Sequence, residues 1–143
     1  MASYVDSRGY KRITVVSSRM DKDGYSKEHI YIAEKALGKS LPKEAVVHHI
    51  DGNKLNNKNS NLVICENQIY HNLLHRRQRT LNAGGDPNFH KVCDTCKIPK
   101  SFSNFYSRTV KSSKYDNLVA TCIECALVLS KARHDFKRKK RII

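Results

Sequence analysis

The order of apolar and polar positions changes character several times along the chain. Over residues 9–16, "GYKRITVV" mixes β-branched and aromatic residues and predicts a strand, and "DKDG" at 21–24 predicts a turn. From Ser26 the spacing becomes helical. In "SKEHIYIAEKALG", Ile30, Ala33 and Leu37 fall on one face, Ser26 is placed as an N-cap, Gly38 as the stop, and Pro42 lies just beyond. "EAVVHHI" (44–50) then reads as a strand, "DGNKLNNKNS" (51–60) as a turn-rich loop and "NLVIC" (61–65) as a second short strand. A helix is predicted from about Glu66 to Leu81, with Ile69, Tyr70, Leu73, Leu74 and Leu81 forming its apolar stripe. "NAGGDPN" (82–88) reads as a linker, and the segment after it carries "CDTC" at 93–96 and "CIEC" at 122–125. The chain ends in a basic stretch, predicted to be helical from Ala126 onward.

Composition narrows the function classes. With 143 residues the chain makes one ordinary domain or two small ones, and each small one would need a metal or another staple. Lys and Arg number 27 against 13 Asp and Glu, a formal charge of +14. The cations cluster, in "HRRQR" (75–79) and "KARHDFKRKKR" (131–141), which points to a polyanionic partner, nucleic acid above all. No apolar run approaches the roughly 20 residues of a membrane-spanning helix, so no membrane partner is expected. The opening "MASYVDSRGYKR" offers no signal-peptide core, so a cytoplasmic location is expected, where paired cysteines hold metal more often than disulfides. Cys65, alone in "NLVICEN", reads as a small buried apolar residue.

Two constellations carry the chemistry. Four of the seven histidines lie between 48 and 75. Neutral imidazole ligates borderline metals and also takes up protons near neutral pH. Neighbouring strand residues point to opposite faces, so His48 and His49 should differ in role, one as metal ligand and the other facing substrate. His71 and His75 lie four apart on the predicted helix, so their rings can converge on one point. The second constellation is Cys93, Cys96, Cys122 and Cys125, two CxxC knuckles that match tetrahedral zinc. Their 25 intervening residues exceed the usual finger gap, but "FSNFY" (102–106) supplies aromatics for a small core. The competing readings are two disulfides or a redox CxxC. Four thiolates would close the coordination shell, which makes this site structural. His90 and His134 are expected at the surface, and His29 as a packed or capping residue.

The His48–His49 pair, Asn61 twelve residues on and His71 ten further resemble the HNH endonucleases of ββα-metal fold. The stretch "AEKALGKSLPKEAVVHHIDGNKLNN…NLVICENQIYHNLLH" is similar to phage-type members in register, over about residues 26–76. The resemblance implies that His49 is the general base and that His48 and His71 hold a divalent cation. It also implies that Asn61 ties the loop and orients His49, and that His75 supplies a further ligand. Asp51, Asn53 and Asn57 are expected as turn and hydrogen-bonding residues. Some family members carry Asp where His48 stands, so Mg, Mn, Ni and Zn all remain open for this site. The four-cysteine segment resembles the zinc modules that accompany phage nucleases.

The expected fold is α+β, a ββα-metal nuclease core with an N-terminal β extension and a small zinc module. The expected divisions are 1–25 for the β extension, 26–81 for the core, 82–89 for the linker, 90–127 for the module and 128–143 for the basic tail. The expected activity is metal-dependent hydrolysis of double-stranded DNA by a phage-encoded enzyme acting in the host cytoplasm. The alternatives are a DNA-binding zinc protein with a degenerate nuclease core, and an RNA-directed nuclease.

Overall fold

The computed structural model describes residues 2–108 and 117–140, with side chains as far as Arg138. Residues 109–116 of the expected zinc module and 141–143 of the expected tail lie outside the described residues. The chain forms two compact units, Met1–His71 and Asn72–Ile143. The division falls within a helix, and the Gly- and Pro-rich stretch 82–89 lies inside the second unit.

The first unit starts with an antiparallel sheet in the order β1 (Ser3–Val5), β2 (Lys11–Thr14), β3 (Tyr25–Lys27). The predicted 21–24 turn connects β2 to β3. Gly24 takes a positive φ of 80° and donates its N–H to Asp21 O, while the Asp21 carboxylate accepts from the N–H groups of Asp23 and Tyr25. Ser26 is not the N-cap of the next helix. It pairs with Ile13 across β2 and β3, is fully buried, and its hydroxyl meets that of Ser17. Helix α1 (Glu28–Leu37) begins after Lys27, which makes no side-chain cap, and ends as predicted at Gly38, whose φ of 70° lets its N–H reach Lys35 O.

Strand β4 (Val46–His49) pairs antiparallel with β5 (Leu62–Cys65), His48 opposite Val63 and His49 opposite Leu62. Helix α2 (Gln68–Asn82) follows and completes a ββα arrangement. The core comprises Ile30, Ala33, Leu41, Ala45 and Val47, with Leu62 against them. Burying a residue such as Ile30 or Val47 contributes roughly 1.5–3 kcal/mol. Cys65 is fully buried, as expected of a small apolar residue. The predicted apolar stripe of α2 is not a deep core face. Ile69 and Leu81 are exposed, Tyr70, Leu73 and Leu74 are half-buried, and Thr80 is the buried residue of this helix.

The second unit contains the hairpin β6 (His90–Val92) with β7 (Pro99–Ser101), the pair β8 (Phe105–Ser107) with β9 (Leu118–Cys122), and helix α3 (Ile123–Lys140). Its small core is Cys93, Phe105 and Cys122, with Cys96, Leu118 and Cys125 against it. Phe105 fills the aromatic place predicted from "FSNFY", whereas Phe102 and Tyr106 are exposed. Helix α2 ends at Asn82, and Gly84, in the left-handed region at φ 77°, follows, with the Gly84 and Gly85 N–H groups donating to the carbonyls of Leu81 and Thr80. A Cβ at Gly85 would stand 2.8 Å from Pro99 Cβ and 3.0 Å from Thr80 Cγ2, so only glycine fits where the helix end meets β7. Helix α3 starts three residues before the predicted Ala126. It is exposed from Leu127 to Arg138 and carries the basic stretch.

Candidate metal centres

Alternation along β4 sends its two imidazoles to different neighbours. His48 and His49 are both buried, at 4% and 6% exposure. The His48 ring stands edge-on to His71, with centroids 5.2 Å apart. His75 lies one turn further along α2, and the ligand atoms of His48, His71 and His75 all lie within 4.8 Å of one another. Three imidazoles at that spacing fit a borderline divalent cation. Exposure rises from buried His48 through half-buried His71 to exposed His75, so one side of the group is open to solvent. The side-chain amide of Gln68 is 2.9 Å from His71 Nδ1 and fixes the orientation of that ring. Burial, aided by Arg79, lowers the pKa of His75, which favours the neutral form a metal requires.

His49 faces the other way, against Tyr10 and His29 (centroids 6.4 and 5.1 Å). Its Nε2 lies 2.9 Å from Asn57 Oδ1, and Asn57 Nδ2 donates to Glu28 Oε2 at 2.6 Å. Lys11 Nζ donates to Glu28 Oε1 at 2.7 Å. Burial works against ionisation of Glu28, but the hydrogen bonds from Lys11 and Asn57 outweigh it and lower its pKa. The chain of bonds fixes a tautomer. A Glu28 carboxylate only accepts, so the Asn57 amide must turn its NH₂ toward it and its carbonyl oxygen toward His49. A neutral His49 then carries its proton on Nε2 and keeps the Nδ1 lone pair.

Asn61 closes the loop between β4 and β5. Its Oδ1 accepts from Asp51 N–H, and its Nδ2 donates to Asp51 Oδ1 and to the Asn56 carbonyl, all at 2.8–3.0 Å. The Ile50 N–H donates to its backbone carbonyl at 2.9 Å. These bonds hold the loop whose next residue, Asn57, touches His49. Hydrogen bonds from Asn56 and Asn61 also keep the Asp51 pKa below its usual value.

Sequence reading missed Lys11 and Glu28, and placed Asn57 only as a hydrogen-bonding loop residue. Glu28 stands 29 positions before Asn57, at no motif spacing, and nothing in a single sequence pairs them. His29, expected to be packed, is 4% exposed and its Nδ1 has no hydrogen-bond partner. Burial, together with His49 and Lys27, lowers its pKa to about 3.

In the second unit the ligand atoms of Cys93, Cys96, Cys122 and Cys125 lie within 4.8 Å of one another, and all four cysteines are free thiols. The first knuckle turns through Lys97, a non-glycine residue at φ 61°, with Lys97 N–H on Cys93 O and Cys93 N–H on Ile98 O. Burial opposes ionisation of Cys93, but N–H donation from Cys122 and from its own knuckle outweighs it and lowers the thiol to about 6. Hydrogen bonding to Cys122, then burial, raises Cys125 to about 12. Thiols packed this closely share protons that a bound metal would displace. The arrangement fits a closed tetrahedral site. His90 is half-buried, with its Nδ1 at Asp86, and His134 is exposed at 71%.

Residues 26–71, about a third of the chain, match the family model described as HNH endonuclease. That segment runs from the end of β3 through α1, β4 and β5 to His71. Neither the curated proteins nor the solved structures gave a match to the chain. The family match makes nuclease activity, on a nucleic-acid substrate and with a divalent metal, the activity this segment suggests.

Proposed function

We propose that the protein is a metal-dependent endonuclease hydrolysing phosphodiester bonds of double-stranded DNA, with one metal and one histidine base. The observation that carries this reading is the division of labour on β4. His48 stands with His71 and His75, while His49 stands apart with its Nδ1 lone pair preserved by Asn57 and Glu28.

His49 Nδ1 removes a proton from water as the water oxygen forms its bond to phosphorus and the bond to the 3′ oxygen breaks. The resulting imidazolium keeps Nε2–H on Asn57 Oδ1, and the Glu28 carboxylate holds that amide in place. Asn61 holds the loop, and with it Asn57, in place. His48, His71 and His75 would hold the divalent cation, which neutralises phosphate charge and stabilises the leaving 3′ oxygen when bound. Mg, Mn, Ni and Zn remain the candidate ions. Cys93, Cys96, Cys122 and Cys125 would hold a zinc ion whose role is to fold the second unit. The exposed Lys131, Arg133, Lys137 and Arg138 of α3 supply a surface for backbone phosphates. A phage-encoded enzyme working in the cytoplasm of the host cell is the setting that agrees with this reading.

The test is cleavage of supercoiled plasmid across a panel of divalent metals, with His49→Ala beside the wild type. The variant should bind DNA normally and cut at least about a hundredfold more slowly. Binding without cleavage in every metal would leave the DNA-binding reading with a degenerate core. Cleavage of RNA in preference to duplex DNA would reassign the substrate.

A further inference from the structure

The second unit has a cleft of about 160 Å³ lined by Arg76, Arg79, Lys91 and Arg108, none of them a candidate metal ligand. Among the described residues, Asp94 is the acidic group on its wall. The four cations arrive from three stretches of chain. Arg76 and Arg79 are three apart on α2 and share a face, Lys91 stands on β6, and Arg108 follows β8. Lys91 Nζ is held by the carbonyls of Leu118 and Val119 at 3.2 and 3.0 Å. Asp94 meets Arg79 at 3.8 Å with both side chains more than half exposed, a pair that contributes little. Cationic donors gathered in one concavity suit an anion with several acceptor oxygens. Arginine forks suit phosphate oxygens in particular.

A second cleft, of about 330 Å³, shares Arg76, Thr80 and Lys91 with the first and adds Leu73, Pro87, Phe102 and Leu118. Its apolar wall suits the sugar ring beside the phosphate, which a duplex leaves accessible. Resting on the nucleic-acid reading above, we propose that the paired clefts seat one backbone phosphate of the substrate, with the adjoining deoxyribose against the Phe102 wall. The chemistry of phosphate plus ring favours a strand of nucleic acid over free phosphate.

The experiment uses the full chain carrying His49→Ala, so that binding is read without cutting, and measures duplex affinity across a salt series. A cleft that seats one phosphate predicts that Arg79→Gln with Arg108→Gln lowers the slope of log affinity against log salt by about 0.9. Asp94→Asn should tighten binding about twofold at low salt by removing the opposing charge, an effect no folding defect produces. Phe102→Ala should weaken binding about fivefold with the salt slope unchanged. An unchanged slope in the double arginine variant overturns the proposal. So does a fall of about 1.8, which would mean two independent surface charges. Displacement of DNA by inorganic phosphate at matched ionic strength would reassign the cleft to a free anion and also overturn it. Plasmid cleavage by the chain with His49 intact is read in parallel, so failure of the nuclease reading is seen separately from the slopes.

Discussion

The two units build their cores from different material. In the first, α1, β4 and the segment between them bring Ile30, Ala33, Leu41, Ala45 and Val47 together, and His48 and His71 belong to a unit whose core is already closed by aliphatic side chains. In the second, the buried hydrophobic residues among those described are Cys93, Phe105 and Cys122, so two of the candidate ligands are themselves the core. The contrast teaches that the same ingredient, a divalent ion, would do opposite work in the two halves. In the first it would serve chemistry at a surface that is folded without it. In the second it would replace the hydrophobic burial that so short a segment lacks.

The largest expected effect breaks this comparison at its second member. Cys93→Ser, or removal of zinc by a strong chelator, should unfold the second unit and leave the first folded, because structural zinc supplies free energy on the order of 10 kcal/mol. Amide exchange resolved by residue would show protection lost after Asn72 and kept in α1 and β4. Retained protection, or purified protein without zinc, would be evidence against a metal-built core. Next in size, Ile30→Ala should destabilise the first unit by about 2–5 kcal/mol, with no dependence on zinc.

The pH dependence of the first unit should come in part from His29. Its pKa is lowered to about 3 in the folded protein against 6.5 unfolded, so between those values the unfolded chain binds the extra proton. Stability therefore falls as pH drops from about 6.5 toward 3, by a few kcal/mol in all. His29→Phe, which keeps a ring against Tyr10 and His49, should flatten this slope in denaturant titrations at a series of pH values. A slope unchanged by the substitution would assign the acid sensitivity elsewhere. The smallest effect sharpens the chemistry. Glu28→Gln weakens the hold on Asn57 and on the His49 tautomer, and should slow cleavage about tenfold, roughly 1.4 kcal/mol, with DNA affinity unchanged. A cleavage rate equal to the wild type would remove Glu28 from the positioning of His49.

Much of this was legible along the chain because its signals are local. Alternation at 46–49, the turn residues after Asp51 and the four-residue step from His71 to His75 each declare their geometry within one element. The CxxC pairs do the same. Ser26 shows where local signals fail, since a serine before a helical pattern is both a good N-cap and a good partner for Ile13 in a sheet. Tertiary pairing decided between them. The Lys11–Glu28–Asn57–His49 connection and the four-cation cleft join residues from separate elements, and a single sequence has no periodicity that links them. The α2 stripe misled in another way. Periodicity reveals a face, but the depth of its burial depends on what packs there.

Strand β4 carries one more consequence, for how such a site can change over generations. Because its side chains alternate, the assignment of His48 to one neighbourhood and His49 to the other is a matter of parity. Substitution can erode either imidazole alone and leave the other in place. Insertion or deletion of one residue ahead of the pair would instead exchange their surroundings, turning the ring beside Asn57 toward His71 and the ring beside His71 toward Tyr10. Both histidines would survive in the sequence while the arrangement was lost.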